Sequence, residues 1–314
     1  MNPMKTIRKS FSARLSLQVV MTASMVFGVV FSVLFFSSKR IVRQEAESHA
    51  GSELSGTVYQ IEDILHQVEA AAKNMEWLVR DRLGNPDSLY AVTRMMMRTN
   101  PHVIGSCVAF EPGFYAEKGE LFAPYSYLTE EGEVKDRNLG YAAYNYHAKE
   151  WYATPKRLDR NYWSEPYFDE GGGDRVMSTY SHVLRNGEGK MFGILTADIS
   201  LDHLSGLVNG IKPYPGSYTL MISRLGNYLV HPKPERILHE TIYTATSDMT
   251  DRSVTILGDA MIRGEEGMHE LQNDDTLSYV FYKPVEGTEW SVAVVCPYRD
   301  VFAPLDRLTL VVVS

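Results

Sequence analysis

The stretch "YAAYNYHAKEWYATPKRLDRNYWSEPYFDE", Tyr141 to Glu170, holds eight tyrosines and tryptophans in thirty residues, with the cation Lys149 set among them. A plain apolar core would use Leu, Ile and Val, because each buried Tyr hydroxyl or Trp N–H must find a hydrogen-bond partner or cost stability. The run is therefore either a hydrogen-bonded structural corner or the wall of a pocket for something polar. Other chemistry is weakly signalled. "GEGK", Gly187 to Lys190, lacks the spacing and the Ser/Thr of a phosphate-binding loop and reads as a turn. His231 and His239 lack a third ligand at metal spacing, and no Ser or Cys sits in a nucleophile motif. No catalytic residue, metal or cofactor is expected.

The elements that must position the aromatic run begin at a membrane. From Leu15 to Ser38 no side chain ionises; as a helix these 24 residues would span roughly 36 Å, enough for a hydrocarbon core of about 30 Å. No small-x-small cleavage site follows, so the segment reads as an uncleaved anchor. Lys5, Arg8, Lys9 and Arg14 precede it and Lys39, Arg40 and Arg43 follow, which favours a cytoplasmic N-terminus. Near the other end "LTLVVVS" reads as the start of a second crossing. Residues 39–307 would then lie outside the cytoplasm.

The net charge is -8, with no dense basic stripe beyond the N-terminus, so nucleic acid is not an expected partner. The two cysteines, Cys107 and Cys296, fall in different candidate modules and read as small buried hydrophobes rather than a bridge. Leu54, Val58, Ile61, Leu65, Val68, Ala72, Met75 and Val79 recur at spacings of four and three, one apolar face of a stalk helix reaching about Leu83, where "GNP" stops it. A short helix over Ser88 to Arg98 follows. Short alternating runs then read as strands: "HVIGSCVAF", "LFAPYSYL", "RVMSTYSHVL" and "KMFGILTADIS", the last two joined by a hairpin at Asn186-Gly187. A short helix over Leu201 to Gly210 and the link "IKPYPG" lead to a second strand–helix–strand series. The fold class is α+β: a long helix, then two consecutive modules.

This order resembles the double Cache sensor domains of bacterial transmembrane signalling receptors. The sharpest likeness is "KEWYATPKRLDRNYWSEPYFDEGGGDRVMSTYSHVLRNGEGKMFGILTADIS"; "GNYLVHP" and "YVFYKPVEGTEWSVAVVCP" resemble the membrane-proximal half. The resemblance implies two tandem PAS-like modules with antiparallel sheets. The expected division is a cytoplasmic N-terminus over 1–14, a transmembrane helix over 15–38 and a stalk over 39–83. A membrane-distal module over 84–210, a proximal module over 211–300 and the start of a second crossing over 301–314 complete it. It also implies a signalling receptor of the inner membrane, paired as a homodimer through its stalk. The output would be a histidine kinase, PP2C-like phosphatase, cyclase or chemotaxis domain.

An amino-acid-binding subset of that family carries a motif whose positions here are Tyr144, Lys149, Trp151, Tyr152, Tyr167, Asp169 and Asp198, with Lys149 in place of the motif Arg. By that resemblance Lys149 and Trp151 would meet a ligand carboxylate, Asp169 and Asp198 an ammonium, and the tyrosines would add hydroxyls and ring faces. Lys grips a carboxylate as a point charge where Arg grips it bidentately, so another carboxylate, an amine or a different small polar metabolite also fits. The rival readings are a membrane-anchored hydrolase using Asp169 and Asp198 as a carboxylate pair, and an interaction module that binds no small ligand.

The topology has a direct test. Single cysteines replacing Lys118 or Asp274 should react with a membrane-impermeant thiol reagent in intact cells. Labelling only after lysis would reverse the orientation.

Overall fold

A computed structural model of the chain describes residues 11–244, 252–273 and 276–313. Lys5, Arg8 and Lys9 of the N-terminal segment and the labelling position Asp274 lie outside the described residues. Helix α1, Phe11–Asp81, runs unbroken for 71 residues. Its N-terminal part carries an apolar window that is long enough to cross a membrane and is wholly exposed. Further along, a seam at Ala46, Ala50, Leu54, Val58, Ile61, Leu65, Val68, Ala72 and Val79 is buried, each at most 2% exposed. The spacing of three and four thus marks a real packing face. The helix ends two residues before the expected Leu83, and Pro86 opens a short 3₁₀ turn, Pro86–Ser88, ahead of α2, Leu89–Thr99.

The first sheet is antiparallel. Its strands are β1 Val103–Phe110, β2 Pro124–Leu128, β3 Val134–Asn138, β4 Tyr162–Trp163, β5 Tyr167–Phe168, β6 Val176–Arg185 and β7 Met191–Ser200, in the order β3-β2-β1-β7-β6-β4 with β5 also paired to β6. The aromatic run supplies α3, Glu150–Leu158, and the two short strands β4 and β5. The β6–β7 hairpin closes where expected: Asn186 Oδ1 accepts from the amides of Glu188 and Lys190, and Gly189 takes the left-handed conformation. Helix α4, Leu201–Val208, is capped by Ser200, whose Oγ accepts from the Asp202 amide.

The second sheet has strands β8 Tyr218–Ile222, β9 Tyr228–Val230, β10 Gly267–Asn273, β11 Thr276–Val285 and β12 Trp290–Pro297, again antiparallel, in the order β10-β11-β12-β8-β9. Helix α5, Arg252–Ile262, covers it, and α6, Tyr298–Val313, leaves directly from β12. The architecture is therefore a long N-terminal helix followed by two modules, each built on an antiparallel sheet, mixed α and β. Cys107 in β1 and Cys296 in β12 are both buried free thiols.

One apolar cluster joins the stalk seam to both sheets, containing Leu65 and Val68 of α1, Leu195 and Ala197 of β7, and Trp290 and Val292 of β12. At the junction Trp163 meets Trp290 edge-on at 5.6 Å and donates to Glu69 of the stalk at 2.8 Å. Arg224, in the β8–β9 turn, lies 4.5 Å over the Tyr162 ring and bonds Glu165 at 3.0 Å and Glu289 at 2.7 Å.

Because Ile61 is fully buried in the seam whereas Tyr59 is 63% exposed, two alanine substitutions should part sharply. Ile61→Ala should cost about 2–5 kcal/mol and Tyr59→Ala less than about 0.5 kcal/mol, read from urea unfolding of the full chain in detergent. Equal effects would mean that the seam is not a shared core.

Candidate functional site

The centre of the first sheet holds a charge. Asp198 of β7 faces Thr179 of β6 on one side and Gly105 of β1 on the other, and is 3% exposed. Gly105 makes the room, since a Cβ there would come within 2.5 Å of both Asp198 Oδ2 and the Tyr125 hydroxyl. Asp198 Oδ1 accepts from Thr179 Oγ1 at 2.8 Å, and Thr179 in turn meets the Tyr167 hydroxyl at 2.7 Å. Tyr125, 1% exposed, faces the same carboxylate; its hydroxyl acts on Asp198 but makes no hydrogen bond of good geometry.

Asp169, 2% exposed, follows β5 and is wrapped by the glycine run Gly171–Gly173. Its Oδ1 accepts from the Tyr144 hydroxyl at 2.5 Å and its Oδ2 from the Gly173 amide at 2.8 Å. A side chain on Gly172 would strike this carboxylate, so the loop can lie on Asp169 only because the position is glycine. Arg137 of β3 holds the loop from outside, bonding the carbonyls of Gly171 at 2.6 Å and Gly172 at 3.0 Å, and Tyr141 donates to Gly171 at 2.8 Å. Lys149, which caps α3, places its ammonium 4.8 Å over the Tyr144 ring.

Of the seven residues singled out from the sequence, five converge: Tyr144, Lys149, Tyr167, Asp169 and Asp198. Tyr152 is fully buried, but its hydroxyl donates to Glu111 at 2.7 Å, and Glu111 also accepts from Lys156 at 2.6 Å. The structure thus places the Tyr152 hydroxyl at the end of β1, on Glu111 rather than on either acid. Trp151 stacks on Tyr146 at 6.1 Å, and its carbonyl accepts from Ser181. Tyr125, Thr179, Gly105 and Arg137 are site residues that the sequence reading missed. The one available signal was the triple glycine.

The electrostatics are those of an unfinished ion pair. Burial, then the neighbouring Asp169, pushes Asp198 up to about 7, against the hydrogen bond from Thr179. Burial also raises Asp169, opposed by Tyr144, the Gly173 amide and the charge of Lys149. Burial and both acids drive the hydroxyls of Tyr125 and Tyr167 upward. A buried carboxylate without a cation is costly unless it is protonated or paired, so the cluster can receive a proton or a ligand ammonium. Both Asp169 oxygens already accept hydrogen bonds, an arrangement that suits binding better than general-base chemistry. Among the described residues no three His, Cys, Asp or Glu side chains gather into a metal site.

Residues 89–206 match the family described as methyl-accepting chemotaxis protein-like, first PDC sensor domain. That match spans β1 to β7 of the first module and marks what this segment is similar to. The methyl-accepting chemotaxis protein PscA of Pseudomonas syringae pv. tomato is 27% identical over 168 residues, which are 52% of this chain and 24% of that protein. The chain thus spans about a quarter of the length of this curated relative. In fold, a structure of methyl-accepting chemotaxis protein X aligns with TM-score 0.68 and 23% identity, covering 82% of this chain and 99% of that one. The ligand-binding domain of the Pseudomonas aeruginosa amino acid chemoreceptor PctB, solved with L-Gln, aligns with TM-score 0.58 and 18% identity over 84% and 98%.

The buried charge should be visible in stability. The folded pKa of Asp198 lies near 7, above its unfolded value, so the native state holds the proton more tightly. Stability from this group therefore falls as pH rises from about 4 to about 7 and stays reduced above. At about 1.4 kcal/mol for each pH unit between the two values, the loss approaches roughly 4 kcal/mol. Asp198→Asn should raise the melting temperature at pH 8 and leave it nearly unchanged at pH 4. A uniform loss at both pH values would count against the buried, unpaired carboxylate.

Proposed function

We propose that this chain is the extracytoplasmic ligand-sensing region of a transmembrane signalling receptor of the inner membrane. In this reading residues 39–307 face the periplasm or exterior, and residues 84–210 own a pocket for a small polar metabolite. An amino acid, a carboxylate or an amine fits the residue types present, and the ammonium-bearing members fit best. The observation that carries the reading is Asp198, buried in mid-sheet with Asp169 beside it and, among the described residues, no cation bonded to either. A ligand ammonium there would complete the pair, and the hydroxyls of Tyr125 and Tyr167 lie close enough to add hydrogen bonds. Lys149 would meet an anionic end.

The matched sensor-domain family and the amino-acid complex of PctB support this assignment. Occupancy would act on the stalk, whose seam packs against the sheet that holds Asp198, and through it on a cytoplasmic output domain by differential affinity for two states. Tyr59 and Trp77, 63% and 66% exposed on α1, support pairing of two stalks into a homodimer.

A thermal-shift screen of amino acids, small carboxylates and amines, followed by calorimetry on variants, tests the reading. Lys149→Met should weaken a carboxylate-bearing ligand about ten- to a hundredfold, the worth of a hydrogen bond to a charged group. Asp198→Asn should impair any ligand carrying an amine. Because Asp198 must lose its proton to take an ammonium, affinity for an amine should rise with pH up to about 7 and then level off. No hit in the screen, or a hit indifferent to both substitutions, would return the tyrosines to a purely structural role.

A further inference from the structure

We infer that the chain has a second small-molecule site, for a zwitterion bearing one ammonium and one carboxylate, in the cavity where the stalk and the two sheets meet. This cavity has a volume of ≈ 380 Å³, within the range of about 300–1,000 Å³ typical of small-ligand sites. Its walls come from all three parts of the molecule. Glu69 belongs to the stalk, Arg160, Trp163 and Tyr180 to the first module, and Arg224 and Glu289 to turns of the second. It shares no residue with the Asp169–Asp198 cluster.

The argument rests on how the charges are left over. Four ionised side chains line the cavity, and Arg224 and Glu289 neutralise each other across 2.7 Å. Arg224 has further bonds to Glu165 and Glu150 behind the wall. Two opposite charges remain. Glu69 accepts from Trp163 Nε1 at 2.8 Å, which orients the carboxylate, yet it has no cationic partner among the described residues. Arg160 sits exposed at the mouth with no carboxylate partner among the described residues. Glu69 and Arg160 do not pair with each other, although both line the cavity. A cationic and an anionic side chain thus line one cavity without pairing, and the matching solute presents the inverse dipole: an ammonium toward Glu69 and a carboxylate toward Arg160, which can take it bidentately. Trp163 and Tyr180, with ring centroids 5.2 Å apart, offer an apolar wall to the chain between those ends. A single cation or a single anion would leave one wall charge unanswered and confront the other.

Such a ligand would touch the stalk and both modules at once, so its binding reads out the relative placement of all three. The probes are β-alanine, 4-aminobutanoate and 6-aminohexanoate, titrated by calorimetry into the full chain in detergent, with butylamine and butanoate as singly charged comparisons. At least one ω-amino acid should bind at least tenfold more tightly than either comparison. Glu69→Gln, which keeps an acceptor for Trp163, and Arg160→Gln should each weaken it tenfold or more without moving the melting temperature. Thr288→Trp, filling the cavity from the β11–β12 turn, should abolish it, and decides the matter if Glu69→Gln proves unstable. The proposal is overturned if none of the three probes binds, or if a singly charged comparison binds as well. Undiminished binding in the cavity variants, or loss on Asp198→Asn instead, would also overturn it.

Discussion

The constraint on which the molecule depends is that one helix face serves as core for two sheets. The α1 seam from Ala46 to Val79 enters a single apolar cluster with strands of both modules. Each sheet therefore completes its core with the same helix. The face also explains why the helix is unbroken: a proline or a glycine kink within the seam would misalign its contacts with one sheet or the other, and none interrupts it after Gly56. The consequence for function is mechanical. A helix that is simultaneously core and connector cannot shift against one module without changing its packing on the second, because interiors are close-packed and yield in steps.

Against this conventional core, the centre of the first sheet breaks the usual rule. A strand flanked by strands on both sides ordinarily carries apolar residues, yet β7 places Asp198 there, and the surrounding residues are shaped to tolerate it. Gly105 gives up its side chain, Thr179 donates to the carboxylate, and the Tyr125 hydroxyl turns toward it. Packing alone would be better served by a valine. Departures from local consistency of this kind are expected at functional or strained sites. The proximity of Asp169 makes the accommodation harder, since two like charges raise each other's cost of ionisation.

The sequence disclosed the parts that follow from period and punctuation. The spacing of three and four from Leu54 to Val79, the stop at "GNP" and the hairpin at Asn186 each have a local physical cause and appear where expected. The aromatic run divides in two: Tyr146, Trp151 and Tyr152 make a hydrogen-bonded corner, whereas Tyr144 and Tyr167 turn to the acids. Nothing in the spacing foretells that division, because Tyr144 and Tyr146 flank a left-handed residue, Asn145, at φ 40°, which redirects the chain between them. Tyr125, Thr179 and Gly105 were illegible for a different reason. They reach Asp198 through the register of β2, β6 and β1, a long-range property that no local pattern encodes.

Just past the apolar span of α1, cations and aromatic surface meet again. Lys39, just past the apolar span, lies 5.0 Å from the Phe35 ring and 5.8 Å from both Tyr298 and Phe302 of α6, and Arg43 lies 5.6 Å from Tyr279. The Lys39 contacts with Tyr298 and Phe302 tie α1 to α6, and that of Arg43 ties α1 to β11. They are cation–π contacts at partly exposed positions, worth about 0.5–1 kcal/mol each, far less than the buried seam above them. Val301 and Phe302 of α6, 2% and 3% exposed, also enter the apolar cluster that contains the α1 seam, so the two helices are joined chiefly by buried apolar contact and the cations add to it.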